Sequence, residues 1–392
     1  MGRARVMQEI RVMRFEELLD KHRRGYVTQT EAAEMLGVCE RTFRRWETRY
    51  RDEGSEGLRD RRVGKPSSRR AAEDELLRIL GIYREHYQGF TVKHFHELAQ
   101  KRHGYLLGYT VTRLALQRSG LVARAPRRGA HRRRRPRRAM AGMMLHQDGS
   151  SHAWLAGRPA LDLIVTMDDA TSEIYSAFLV EEEGTASTFR GLAETIAAKG
   201  LFCSFYTDRG SHYFHTPEAG GRVSKSQLTQ VGRALAQLGI EHIPAYSPEA
   251  RGRSERLFRT LQDRLVKELR LAGIGEDVAA ANRYIREIYL PAHNARFAVP
   301  AELEGDAFVP VEPSQWQDVL CLQESRLVGN DNTVAWQGRR LQIPQSRLRP
   351  HFVRATVRIN QYHDGSIVLF WGPHRVAAFP PPGTTPAVER AA

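Results

Sequence analysis

Leu201-Phe-Cys-Ser-Phe-Tyr-Thr207 runs straight into Asp208, an apolar strand that ends on an acid. Met143-Met-Leu-His-Gln-Asp148 has the same form. Between them, Leu161-Asp-Leu-Ile-Val-Thr-Met167 alternates as a second strand and Ile174-Tyr-Ser-Ala-Phe-Leu-Val180 reads as a third, joined by a turn at Asp168-Asp-Ala-Thr-Ser-Glu173. Residues 185 to 199 read as a helix. Downstream, Leu228, Val231, Leu235 and Leu238 fall at helical spacing, Ile240-Glu-His-Ile243 is a short fifth strand, and Arg251 to Leu271 a long helix. Three strands on tight turns, then a β-α-β-α alternation, predict one mixed sheet with helices packed on it.

Such a sheet brings a first-strand Asp, a fourth-strand Asp and a Glu on the following helix to one edge: Asp148, Asp208 and Glu255. Cleavage of a phosphodiester needs an activated nucleophile and neutralisation of the leaving oxygen, which two divalent metals roughly 3.5–4 Å apart supply. Mg²⁺ takes hard oxygen ligands and keeps several waters, so about three carboxylates suffice beside substrate phosphates. Singly, each acid has a plainer reading. Asp148 before Gly149 and Asp208 before Arg209-Gly210 suit ordinary turns, and Glu255 suits a surface pair with Arg259, because Leu257, Leu261 and Leu265 mark the buried face. Asp168 and Asp169 rival Asp148 for the first position, but their Asp-Asp-Ala-Thr setting is that of a hairpin turn. His212 and His215, in a Gly/His/Ser-rich loop, read as solvent-exposed.

The 392 residues carry 60 Lys plus Arg against 45 Asp plus Glu, a net charge of +15 that favours a polyanionic partner. No apolar run of membrane-spanning length and no secretory leader is visible, which points to nucleic acid rather than a bilayer. Cys39, Cys203 and Cys321 form no CxxC pair and fit buried thiols in a reducing cytoplasm. Near the start, Thr28-Gln-Thr-Glu-Ala-Ala-Glu-Met-Leu-Gly37 followed by Val38-Cys-Glu-Arg-Thr-Phe-Arg-Arg-Trp46 has the helix-turn-helix pattern. Arg41, Arg44 and Arg45 are its candidate DNA readers, with Phe43 and Trp46 packing inward; any basic αα-hairpin shares the pattern. A linker is expected from Gly54 to Arg70. A second helical block, residues 73–122, has stripes at Leu76, Leu77, Leu80 and Tyr83, then Phe95, Leu98 and Ala99, then Val111, Leu114, Leu116 and Leu121. It reads equally as a second helix-turn-helix or a connector. From Arg124 to Arg138 come nine arginines, two prolines and no acid. This linker, residues 123–140, places Arg132, Arg133, Arg134 and Arg135 to lie along phosphates. Residues 141–293 form the α/β core. Five short strands (Thr333–Trp336, Arg340–Ile343, Ala355–Ile359, Ser366–Phe370 and Arg375–Ala378) suggest a small β-barrel over 318–379, before a disordered tail, 380–392.

The strand-end acid in His146-Gln-Asp-Gly-Ser150, the Thr207-Asp-Arg-Gly210 motif and the stretch SPEARGRSERLFRTLQDRL, Ser247–Leu265, around Glu255 resemble the DDE transposase and retroviral-integrase superfamily. The stretch Glu255–Arg270, ERLFRTLQDRLVKELR, is similar in near-identical form to ISNCY-type bacterial insertion-sequence transposases. The resemblance implies an RNase H-like core and matches Asp148, Asp208 and Glu255 to the family's three metal-binding acids. It further implies two Mg²⁺ or Mn²⁺ ions per site, double-stranded DNA as partner, and a homo-multimer that pairs two DNA ends for cleavage and strand transfer. A helix-turn-helix regulator with a dead site is the alternative. Two departures stand out. Asp208 and Glu255 are separated by 46 residues. Many relatives have about 35, and the excess falls in Ser211 to Gln227, where lengthening a loop is cheap. Seven residues after Glu255, where many relatives carry Lys or Arg, stands Gln262; Arg259, one turn from Glu255, is the candidate to contact DNA instead.

Overall fold

The structure, a computed structural model, describes residues 3–60, 71–124, 136–218, 221–224, 226–246 and 252–381. The chain divides into two compact units, Met1–Leu80 and Gly81–Ala392. Arg132 to Arg135, most of the arginine linker and the tail from 382 lie outside the described residues.

The first unit is helical. Helices α1 (Arg3–Arg23), α2 (Gln29–Leu36) and α3 (Glu40–Glu53) close on Phe15, Leu18, Leu19, Ala32, Ala33 and Phe43. The α2 start is a capping box: Thr28 Oγ1 accepts from Glu31 N–H, and the Glu31 carboxylate accepts from Thr28 N–H at 2.7 Å. Its end needs the left-handed backbone of Gly37, φ 73°, to turn into α3. On α3, Phe43 is buried and Trp46 packs edge-on against Phe15, while Arg41, Arg44 and Arg45 are exposed. Helix α4 (Glu73–His86) follows. There Leu77 is exposed and Ile79 buried, so the apolar face is rotated from the expected stripe.

In the second unit, α5 (Val92–His103) and α6 (Tyr109–Arg118) precede a five-stranded sheet. Its strands are β1 (Leu145–His152), β2 (Leu161–Asp168), β3 (Ile174–Val180), β4 (Ser204–Thr207) and β5 (Glu241–Pro244), in the order β3-β2-β1-β4-β5. The β1–β2 and β2–β3 pairs are antiparallel, β1–β4 and β4–β5 parallel. With α7 (Thr185–Lys199) after β3, α8 (Gln230–Gln237) before β5 and α9 (Gly252–Leu271) after it, this is the RNase H-like arrangement.

Helices cover both faces. Leu161, Leu163, Val165 and Met167 alternate along β2 and meet Phe258, Leu261, Leu265 and Leu269 of α9 on one side. Burial of each such side chain stabilises by about 1.5–3 kcal/mol. The other face holds Leu145 and Phe205 against Phe189, Leu192 and Ile196 of α7 and Val231 and Leu235 of α8. Strand β3 is an edge, and two asparagine amides answer outward backbone groups of its buried residues Leu179 and Ile174. Asn282, on α10 (Val278–Tyr284), accepts from Leu179 N–H at 2.7 Å and donates to its C=O at 3.0 Å. Asn294, on α11 (Leu290–Phe297), does the same for Ile174 at 2.9 and 2.8 Å. Helix α5 is pinned to this body: Arg264 of α9 donates to Glu97 at 3.1 Å, Arg296 pairs with the same carboxylate, and His94 meets Glu268 at 3.0 Å.

Two expectations change. Strand β1 does not end at Asp148 but continues to His152, because β2 still pairs with it from Asp148–Val165 to His152–Leu161. The C-terminal strands form no closed barrel among the described residues. After the short α12 (Pro313–Trp316), strands β6 (Leu322–Leu327), β9 (Thr356–Gln361), β10 (Ile367–Trp371) and β11 (His374–Phe379) make an open antiparallel sheet, β11-β10-β9-β6. Strands β7 (Thr333–Trp336) and β8 (Arg339–Gln342) pair only with each other, packed on the same core. The unpredicted β6 reads Leu-Gln-Glu-Ser-Arg-Leu, without apolar alternation; its pairing with β9 makes it a strand.

Candidate active site

The parallel β1–β4 register pairs Leu145 with Phe205 and His146 with Tyr206, and carried two residues further it sets Asp208 beside Asp148. Strand β4 stops at Thr207, so from Asp148 onward β1 has a neighbour on one side only. The free side opens into a cavity of about 830 Å³ at the carboxyl end of a parallel strand, where α/β sheets habitually bind ligands. Asp148, Ser150, Asp208, Tyr246, Glu255 and Arg259 are among its lining residues.

Thus the three predicted acids, far apart in sequence, line one cavity. Asp148 and Asp208 are half-buried and Glu255, in the first turn of α9, is exposed. Asp208 Oδ1 accepts from Gly210 N–H at 2.8 Å, which fixes that carboxylate. Among the described residues, no group of three or more His, Cys, Asp or Glu side chains draws close enough to hold a metal ion by itself. Gln262 lines the same cavity and donates to Ser150 Oγ at 3.1 Å, tying α9 to β1. Arg41, Arg44 and Arg45 belong to the first unit and do not line it. His215 is absent from the lining, while His212 is half-buried with Nε2 3.7 Å from Glu183.

Glu183 is the residue that sequence reading missed. Burial, then the charges of Asp148, Asp208 and Asp162, push its carboxyl up to about 7, against which a hydrogen bond from Tyr213 acts weakly. The Tyr213 hydroxyl lies 3.4 Å from Glu183 Oε1 and donates to Gln147 at 3.1 Å. A Cβ at Gly149 would meet the Glu183 carboxylate, which lies against the strand there and would have to shift to admit one. The signal was the Glu181-Glu182-Glu183-Gly184 run between a strand and a helix start. Asp148 and Asp208, whose charges add to burial in raising Glu183, present carboxylate oxygens to the cavity. Such hard oxygens are the donor type that Mg²⁺ and Mn²⁺ take.

The two acids set aside as turn residues divide their work. Asp168 makes the turn, accepting from Thr171 N–H and Gly142 N–H, each at 2.8 Å. Asp169 is fully buried and accepts from Arg138 N–H and His146 Nε2, each at 2.7 Å, and from Arg253 of α9. Burial by itself would raise its carboxyl; the His146 and Arg138 hydrogen bonds and the charges of His146 and Arg253 outweigh that and hold it well below the usual carboxylate range.

Residues 14–67 match a helix-turn-helix domain family. The chain is 33% identical over 367 residues to "Putative transposase y4bF" of Sinorhizobium fredii (strain NBRC 101917 / NGR234), covering 91% of this chain and 78% of that one. It is 26% identical over 383 residues to "Transposase for insertion sequence IS1202" of Streptococcus pneumoniae, covering 88% and 81%. Among solved structures, the HTLV-2 integrase catalytic core domain in complex with magnesium aligns with 38% of this chain and 89% of its own, at 14% identity and a TM-score of 0.28. That score is below 0.5, and the assignment rests on the sequence relatives. No helix among the described residues is long and apolar enough to cross a membrane. With a third of its residues identical to a transposase over nine-tenths of its length, the chain belongs to the transposases.

Proposed function

We propose that this transposase binds the terminal repeats of its element and carries out metal-dependent DNA strand cleavage and strand transfer at Asp148, Asp208 and Glu255. The carrying observation is that these three acids line one cavity at the open side of β1. When bound there, a pair of divalent ions supplies an activated nucleophile and neutralises the leaving oxygen. Asp148 and Asp208, side by side on β1 and after β4, are the carboxylates to hold it, with Glu255 contributing from α9. Arg259 and Arg209 line the same cavity and suit DNA phosphates next to the acids. Gln262, tied to Ser150, keeps the α9 wall at a set distance from β1.

In this reading residues 1–62 and 73–122 recognise the element ends. Arg41, Arg44 and Arg45 project from the second helix of the helix-turn-helix, the one that enters the major groove. Arg132 to Arg135 grip phosphates without sequence preference, residues 141–293 are the catalytic core, and 318–379 form an accessory β domain. The protein works in the bacterial cytoplasm as a homo-multimer that pairs two ends. Phosphate grip of this kind weakens steeply as salt rises.

The test is a cutting and joining assay on a labelled duplex carrying the element's own end. Wild type is compared with Asp208→Asn and Glu255→Gln, in Mg²⁺, in Mn²⁺ and in chelator. Cut and joined strands that require metal and disappear in both variants are the expected result. Tight end binding with no strand cut under any condition would overturn catalysis in favour of a DNA-binding regulator with a dead site.

A further inference from the structure

We infer that Asp169 is a positioning residue: through Arg253 it anchors the first turn of α9, and with it Glu255, to the strand that carries Asp148. The inference rests on the catalytic reading of those acids. Its geometry is independent of that reading.

The first turn of α9 buries Ser254 but carries no large apolar side chain. The apolar contacts of this helix with the sheet begin at Leu257 and Phe258, after Glu255. Gln262 reaches Ser150 two turns further along. In the first turn, a link to the sheet is made by the guanidinium of Arg253, two residues before Glu255, which donates to Asp169 Oδ1 and is itself largely buried, 11% exposed.

Asp169 is a rigid receiver. It is fully buried just past the end of β2, its N–H donates to Met144 C=O at 3.0 Å, and its carboxylate takes Arg138 N–H and His146 Nε2, each at 2.7 Å. His146 lies on β1 two residues before Asp148 and is 2% exposed. One buried carboxylate therefore links the strand bearing Asp148 to the helix turn bearing Glu255. A charge-assisted bond to a carboxylate already fixed by two donors holds geometry better than a surface pair. Misplacing a catalytic group by about 1 Å reduces the rate by about a hundredfold. An anchor two residues from Glu255 is where such a displacement would be resisted.

The test uses the full chain with Asp169→Asn, Arg253→Met and Arg253→Lys. Amide hydrogen exchange is read at Arg256 to Thr260, whose N–H groups close the first turns of α9, with Leu192 to Ile196 of α7 on the opposite face as the internal control. Cutting of the element end at saturating Mg²⁺ is measured in parallel with end binding. Asp169→Asn and Arg253→Met should each speed exchange at Arg256 to Thr260 by about tenfold and leave α7 unchanged, as local opening does. Cutting should fall by about tenfold or more with binding intact, and Arg253→Lys, which keeps the charge, should recover part of both. Unchanged exchange at Arg256 to Thr260 in a folded variant would overturn the inference, as would an equal rise in α7. If Asp169→Asn does not fold, Arg253→Met decides, because it leaves Asp169 with Arg138 and His146. Faster exchange in α9 with a wild type that cuts no DNA would sustain the anchor and remove the catalytic reading instead.

Discussion

Glu183 makes the stability of the core depend on pH in a direction opposite to that of most carboxylates. Its proton affinity rises from the ordinary 4.5 to about 7 in the folded chain, through burial first and then the facing Asp148, Asp208 and Asp162. Between those values the folded state binds more protons than the unfolded state, so stability falls as pH rises. The contribution is fully present below 4.5 and is lost as pH passes through 7. At about 1.4 kcal/mol for each tenfold change in proton affinity, the loss amounts to about 3 kcal/mol. The side chain is 25% exposed, and solvent screening brings this to about 2 kcal/mol. Glu183→Gln keeps the shape and the acceptor for Tyr213 but cannot ionise. Denaturant unfolding, followed by the fully buried Trp154 of the core, should be compared for the two chains at pH 5 and pH 8 without divalent metal. The wild type should lose about 2 kcal/mol relative to the variant between those conditions, and added Mg²⁺ at pH 8 should recover more in the wild type. Parallel unfolding curves for the two chains at both pH values would refute the claim that burial and the facing acids raise Glu183 in the folded state.

Two further outcomes follow from contacts elsewhere. Asn282→Ala strips both hydrogen bonds from the buried Leu179 backbone on edge strand β3, and should destabilise the core by about 2 kcal/mol with faster exchange of the Leu179 amide; unaltered exchange would show that β3 does not need its amide cover. Arg259→Ala should weaken binding of the element end and lower the salt dependence of log K by about 1, as loss of one phosphate contact does. An unchanged slope would place Arg259 away from the DNA.

The parts that were legible share a physical cause: periodicity and adjacency. Ile174 to Val180 and residues 185 to 199 alternate or repeat cleanly, and both elements form with those bounds. The strand after α7 was read from Leu201, but only Ser204 to Thr207 pairs in the sheet, because Leu201 is taken by a bridge to Val309 far along the chain. Nothing local to Leu201 announces that partner. Asp148 was recognised for its neighbours and misplaced at a strand end, since Gly149-Ser-Ser-His152 is polar and looks like a turn; β2 makes it strand by pairing. Glu183 and Asp169 were illegible for the same reason. Each is defined by residues at least 23 positions away: Asp148, Asp208 and Tyr213 around Glu183, and Arg138, His146 and Arg253 around Asp169.

Asp168 and Asp169 show how identical side chains one residue apart acquire unrelated duties. At the end of β2 successive side chains point to opposite sides. Asp168 turns back onto its own loop, to Thr171 and Gly142. Asp169 points into the body of the unit, where an ionised carboxylate would be ruinous without partners. Arg138 N–H, His146 and Arg253 supply them. Among the described residues no Lys or Arg answers Glu183 in that way: Asp148, Asp208 and Asp162 act on it, with the Tyr213 hydroxyl and His212, which burial holds toward its neutral form. The chain therefore neutralises a buried acid fully where it serves as an anchor and leaves one under repulsion where the cavity opens. Arrangements that are unfavourable in the empty protein persist where something bound relieves them. Asp148, Asp208 and Glu255 line that opening together with Arg209 and Arg259, so carboxylates and guanidiniums share one wall.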